Sequence, residues 1–95
     1  MNDIRINLSF PVTVQRLTDN PYGKKIFAEQ VADKIDYGEM NIIHFPDHII
    51  RASSSFVQGF FTDIVNTIGY DNLHNHITID SINQSLVCSI WDNLL

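Results

Sequence analysis

Residues 45–56 read Phe45-Pro46-Asp47-His48-Ile49-Ile50-Arg51-Ala52-Ser53-Ser54-Ser55-Phe56, so an apolar run meets three serines and then an apolar helical pattern. Serine is favoured at the start of a helix because its side-chain oxygen accepts a hydrogen bond from a free backbone N–H of the first turn. The start of a helix also carries about half a positive charge, which favours negative groups there. The segment therefore predicts a helix start whose hydroxyls either cap the helix or accept a regulatory phosphate.

The serines lie between a predicted strand and the most apolar predicted helix. Met40 to Phe45 is apolar on both faces, which is typical of a central strand covered by helices on either side, or on one side by a partner. After the serines, apolar residues recur every three or four positions, which predicts a helix that ends at Gly69. The apolar stripe of this helix comprises Phe56, Val57, Phe60, Phe61, Ile64, Val65 and Ile68.

The N-terminal part of the chain predicts one or two strands and a helix. Residues 3–9 alternate apolar and polar side chains, as in a half-buried strand. Residues 12–17 supply a second short strand or an irregular connection, and residues 18–23 are typical of a turn. A helix is predicted over 24–35, closed by Tyr37-Gly38. Its apolar face comprises Phe27, Val31 and Ile35.

The C-terminal part predicts a loop over 70–75, a strand over 77–80 and a last helix that Asp80 or Ser81 caps. We expect Cys88 to be a buried, unreactive thiol in this helix. Its inward-facing residues are predicted to be Ile82, Leu86, Val87, Ile90, Trp91 and Leu94. The complete order, β(β)αβαβα, predicts the α/β class, with about four strands in a mixed sheet packed against three helices.

Composition limits the classes of function. The 95 residues are 44% hydrophobic and 18% charged, which is typical of one packed domain spanning 1–95. The formal net charge is −5 and the six Lys and Arg residues are dispersed, which disfavours nucleic acid as a partner. No basic leader with an apolar run is visible, and no stretch approaches the roughly 18 apolar residues of a membrane span. We therefore expect a cytoplasmic protein without a membrane partner.

Three motifs resemble the STAS-like domain family of bacterial and phage proteins, relatives of the anti-sigma factor antagonist domains. They are Gly23-Lys24-Lys25-Ile26-Phe27-Ala28, Ile42-Ile43-His44-Phe45 and Ala52-Ser53-Ser54-Ser55-Phe56. The resemblance covers about residues 20–95. It implies a small STAS-like α/β fold and a protein partner, in the antagonists a histidine-kinase-type ATPase.

The resemblance also implies a role for one serine. In the antagonists the corresponding element reads Asp-Ser-Ser-Gly-Leu, and its second serine is phosphorylated to break a complex. That serine corresponds to Ser54, while Ala52 and Ser55 stand where the antagonists have aspartate and glycine. Two interpretations stay open, in which the serines are either structural caps or a site of regulated phosphorylation.

Gly59 lies inside the most apolar predicted helix, where glycine costs about 1 kcal/mol relative to alanine. We therefore expect something to approach it closely. The candidates are the sheet, a neighbouring helix, or a partner helix that docks beside Ser55. The predicted partner-binding residues are Ser53, Ser54, Ser55, Phe56 and Gly59.

Two other kinds of site are incomplete in the sequence. His74 and His76, two apart on a strand, would share a face and could bind a metal, but a third ligand would have to come from Asp71, Asp80, His44 or His48. A hydrolase would need Ser54 with His48 or His44 and Asp47, without the usual Gly-x-Ser-x-Gly elbow. The four glycines are isolated, so no phosphate-binding loop is present and no cofactor is expected.

The sequence predicts a non-catalytic module that binds another protein, with partner switching through serine phosphorylation. The alternative is a small phage- or prophage-type inhibitor whose acidic surface blocks a host protein. The net charge of −5 is compatible with both functions.

Overall fold

A computed structural model describes residues 3–94 as an α/β fold; Met1, Asn2 and Leu95 of the expected domain lie outside the described residues. The strands are β1 (Ile4–Asn7), β2 (Arg16–Leu17), β3 (Asn41–His44), β4 (Arg51–Ala52) and β5 (Ile77–Asp80). The helices are α1 (Asn20–Gln30), α2 (Ser54–Ile68), α3 (Leu73–His76) and α4 (Gln84–Leu94), with a 3₁₀ turn at Tyr70–Asn72. None of the helices within 3–94 combines the length and apolar character needed to cross a membrane.

The strands form two parallel assemblies in place of the predicted four-stranded mixed sheet. The main sheet has the order β1-β3-β5, and Ile6, Ile43 and Ile79 are register partners across it. Strands β2 and β4 form a separate ladder of two residues each. The main strands are parallel because each connection contains a helix that returns the chain to the same end of the sheet.

The helices cover one face of the main sheet. Ile6, Ile43 and Ile79 are buried, whereas Arg5 and Thr78 on the opposite face are exposed. Both crossovers step in the same direction along β1-β3-β5, so right-handed connections place α1 and α2 on the same side. The prediction that β3 is a central strand is confirmed. Within residues 3–94, helices cover the face of β3 that carries Ile43, whereas no helix covers its opposite face in the same way.

Close packing of α1 against α2 explains Gly59. A Cβ added at Gly59 would overlap the backbone carbonyl of Asn20, and one added at Gly23 would lie 2.8 Å from the backbone nitrogen of Phe60. The expected close approach at Gly59 is therefore confirmed, and the neighbouring helix α1 makes it. Since α1 occupies the space at Gly59, no partner helix is needed to explain this glycine.

Helix α1 begins and ends earlier than predicted. It begins at Asn20 because Pro21, which indicated a turn, occupies the first turn of the helix, where no backbone N–H is needed. It ends at Gln30. The side chain of Asn41 then fixes the connection between α1 and β3 through hydrogen bonds to its backbone. The Nδ2 of buried Asn41 donates to the carbonyls of Asp36 (2.8 Å) and Glu39 (3.0 Å), and its Oδ1 accepts from the backbone N–H of Asp36 (2.9 Å).

Helix α4, in contrast to α1, begins later than predicted. Asn83, rather than Asp80 or Ser81, lies at its start, where its Oδ1 accepts from the N–H of Leu86 (3.4 Å). Ile82 therefore lies before the helix and is 72% exposed, so the prediction that it faces inward is wrong. Leu86, Ile90 and Leu94 are buried, as predicted. Cys88 is exposed, contrary to prediction. It lies two residues after buried Leu86, and residues two apart on a helix point to opposite faces.

Candidate functional site

The candidate site lies at the carboxyl ends of the main strands, where three connections meet. The Nε2 of His48, after β3, donates to the carbonyl of Pro11, after β1, at 3.1 Å. The Nδ2 of Asn83, after β5, donates to the carbonyl of Ile50 at 3.4 Å. Ligands of open α/β sheets commonly bind at this edge. We call this region, together with the β2–β4 ladder and the start of α2, the sheet-end surface.

The three serines at the start of α2 have different environments. Ser53 is the N-cap, and its Oγ accepts from the backbone N–H of Phe56 at 3.2 Å. Ser54 and Ser55 are exposed, and neither hydroxyl forms a hydrogen bond with another of residues 3–94. Phe56 is 1% exposed, so it packs into the core and cannot contact a partner directly. The structural-cap interpretation therefore holds for Ser53, and the hydroxyl of Ser54 has no capping role.

A cavity of about 390 Å³ adjoins Ser53 and Ser54. One of its walls is a polar face of α4, formed by Ser85, Ser89 and Asn93 at four-residue spacing. The lining residues are Thr18, Ile50, Arg51, Ala52, Ser53, Ser54, Ser85, Ser89 and Asn93. This wall is not among the residues predicted from the sequence, although the four-residue spacing of Ser85, Ser89 and Asn93 is a visible signal of one polar helix face.

Two arginines lie side by side on the β2–β4 ladder. Arg16 and Arg51 are register partners, and both are exposed. Their following neighbours, Leu17 and Ala52, are buried. Because successive side chains alternate across a strand, both arginines project from the outer face of the ladder. Within residues 3–94 neither of them forms an ion pair or a side-chain hydrogen bond.

Exposed apolar side chains accompany the arginines. Val12, Ile50 and Ile82 are 79%, 43% and 72% exposed, and they lie in the connections after β1, β3 and β5 respectively. The other large exposed hydrophobic residue of the described chain, Tyr70, follows the far end of α2. Apolar exposure is thus concentrated at the sheet-end surface.

The open face of the main sheet carries a separate polar cluster. The Nδ1 of His44 donates to Oδ2 of Asp80 at 2.6 Å, and a guanidinium nitrogen of Arg5 lies 3.3 Å from the same oxygen. The hydrogen bond from His44, with the charge of Arg5 adding to it, lowers the pKa of Asp80. This cluster links β1, β3 and β5 on the face opposite α2, so it is not part of the serine site.

The residues considered for a hydrolase do not come together. His44 binds Asp80, and His48 binds the carbonyl of Pro11. Within residues 3–94, no histidine forms a hydrogen bond with Ser54.

The metal hypothesis placed two histidines on a strand, and this placement is wrong. His74 and His76 lie in α3, where residues two apart point in different directions. The ring of His74 stacks on Trp91, with the ring centroids 4.2 Å apart. Across the described residues, no group of three His, Cys, Asp or Glu side chains could hold a metal ion.

Comparisons with models of protein families, with curated proteins and with solved structures find no match to this chain. The STAS-like resemblance of the motifs therefore stays a prediction from the sequence.

Proposed function

We propose that this chain is a STAS-like, non-catalytic module that binds another protein, and that phosphorylation of Ser54 controls the binding. The observation that carries the proposal is the division of roles at the start of α2. Ser53 makes the capping hydrogen bond, whereas Ser54 is exposed and its hydroxyl forms no internal hydrogen bond within 3–94. The capping interpretation is thus the one we adopt for Ser53, and phosphorylation is the one we propose for Ser54.

The surroundings of Ser54 tolerate a phosphate. A phosphoserine carries roughly −1.5 to −2 charges at neutral pH and three strong acceptor oxygens. At the first turn of the 15-residue helix α2 these charges would face the positive end of the helix dipole. Arg51 lines the same cavity as Ser54 and offers a cation to the phosphate. Phosphorylation would therefore change the surface without unfolding the domain.

The resemblance to antagonist domains supports a histidine-kinase-type ATPase as the kinase and partner. In those proteins the kinase phosphorylates the second serine of the motif, which corresponds to Ser54 here. A gene for such an ATPase next to the gene for this chain would support partner switching.

Mass spectrometry of the chain purified from its native cells tests the proposal. We expect phosphate on Ser54 and not on Ser53, whose Oγ is occupied by the N–H of Phe56. Protein captured by the wild type after cross-linking in cells should be lost with Ser54→Asp and kept with Ser54→Asn, which has the same shape without the charge. Stoichiometric phosphate on Ser53 or Ser55 alone, or equal capture by both variants, would contradict the proposal.

A second candidate is a small inhibitor whose acidic surface blocks a basic site on a host protein. The net charge of −5, with eleven Asp and Glu residues, favours it. Association driven by such a surface should slow steeply as salt rises, because salt screens exposed charges. An association rate that does not change with salt would exclude this candidate.

A further inference from the structure

The arrangement of Arg16 and Arg51 is unfavourable for the isolated chain. Neighbouring strands lie about 4.8 Å apart, so register partners on one face bring their side chains close together. Like charges on adjacent strands destabilise a sheet. The chain has eleven acidic residues, yet within 3–94 no carboxylate pairs with either guanidinium. The ladder therefore carries two adjacent positive charges on a protein whose net charge is −5.

Apolar side chains lie close to this positive pair. Ile50 directly precedes Arg51 in the chain, and Asn83, the neighbour of Ile82, donates a hydrogen bond to the carbonyl of Ile50. The backbone N–H groups of Ile50 and Arg51 both donate to the carbonyl of Gln15, next to Arg16. Hydrogen bonds thus hold the segments that carry the exposed apolar side chains next to the ladder that carries the two arginines.

We propose that this surface binds an acidic segment of a partner protein in which carboxylates alternate with apolar side chains. The inference rests on the proposed function, because it names the chemistry of the partner that the module binds. Arginine suits this role, since its planar guanidinium binds carboxylates through two parallel hydrogen bonds. The carboxylates of the segment contact Arg16 and Arg51, and its apolar side chains cover Ile50 and Ile82.

This assignment gives phosphorylation a direct mode of action. Ser54 and Arg51 line the same cavity, so a phosphate on Ser54 competes with the partner's carboxylates for Arg51. The phosphate on Ser54, whose negative charge is tolerated at the start of α2, would then displace the acidic partner.

Selection from a random-peptide library displayed on phage tests the inference. The full chain is used as wild type, as the double variant Arg16→Gln/Arg51→Gln, and as the control Lys24→Gln/Lys25→Gln. The control removes two charges from exposed positions on α1. The wild type and the control should enrich peptides that combine Asp or Glu with apolar residues. Thermal unfolding of each form checks that it is folded.

Fluorescence anisotropy with the most enriched peptide completes the test. The arginine variant should bind it at least about tenfold more weakly, equivalent to about 1.4 kcal/mol, and so should a peptide with its acidic residues changed to amides. Enrichment of peptides without acidic residues, no enrichment, or an equal loss in the lysine control would overturn the inference. If the peptide test fails while Ser54→Asp still releases the cellular partner, the proposed function stands without the acidic segment. If the peptide test succeeds while Ser54→Asp does not release the cellular partner, the acidic segment stands and the phosphorylation switch is wrong.

Discussion

The backbone carbonyl of Asn20, at the start of α1, lies directly against Gly59 in the middle of α2. A side chain at residue 59 would overlap that carbonyl, so the two helices can pack at this distance only with glycine there. The contact joins the start of α1 to the first half of α2, and Asn20 reinforces it by donating from Nδ2 to the carbonyl of Ser55 at 3.2 Å. The position of the serine end of α2 therefore depends on this crossing.

Gly59→Ala should destabilise the chain by about 1–3 kcal/mol, the usual range for overpacking. In an exposed helix the same change stabilises by about 1 kcal/mol, so the sign of the effect reports the contact with Asn20. Denaturant unfolding measures it. Gly38→Ala is the control, since Gly38 is exposed, has no positive φ, and an added Cβ would come near only the exposed side chain of Asp36, at 3.3 Å. A Gly59→Ala variant at least as stable as wild type would contradict the packing described here.

The three serines should differ in their effect on stability. Ser53→Ala should lower the free energy of unfolding by about 0.5–2 kcal/mol because it removes the cap of α2. Ser54→Ala and Ser55→Ala should each stay within about 0.5 kcal/mol of wild type, as exposed substitutions usually do. Thermal unfolding of the three variants provides the comparison. Equal losses at Ser53 and Ser54 would mean that the two hydroxyls share the capping role.

The stability contributed by Asp80 should depend on pH. His44 and Arg5 hold the pKa of Asp80 below its ordinary value of 3.8, so their contacts with Asp80 stabilise the folded state when Asp80 is ionised. This contribution is complete above that ordinary value and is lost as the pH falls through the lowered folded pKa. The stability difference between wild type and Asp80→Asn should therefore shrink below about pH 4.

Asp63→Asn is the matched control for this pH dependence. Asp63 is exposed on α2 and forms no ion pair with the other described residues. Urea unfolding at several pH values should show a constant difference for this variant. A constant difference for Asp80→Asn as well would show that the cluster on the open sheet face is not formed in solution.

Local signals in the sequence predict α2 well. Its apolar stripe, its serine cap and the glycine that follows it are all short-range features, and Gly69 has a positive φ of 78°, a backbone conformation that favours glycine. The start of α1 was missed for a local reason too, because Pro21 is typical both of a turn and of the first turn of a helix.

The candidate site was only half predictable, because its parts come from distant segments. The serine run is contiguous, and its capping role follows from residue type. Arg16 and Arg51 are far apart in the chain and become neighbours only through the pairing of two two-residue strands, which leave too little periodicity to recognise. Ser85 and Ser89 reach the cavity only because α4 packs beside β4.

The affinity of the chain for the protein cross-linked to it in its native cells tests the central claim most directly. The dissociation constant is measured for wild type, Ser54→Asp and Ser54→Asn, all of which should be equally folded because Asp and Asn are both tolerated near a helix start. We expect Ser54→Asp to weaken binding at least about tenfold and Ser54→Asn to bind nearly as wild type does. If Ser54→Asp binds the partner as tightly as wild type, Ser54 is not the switch.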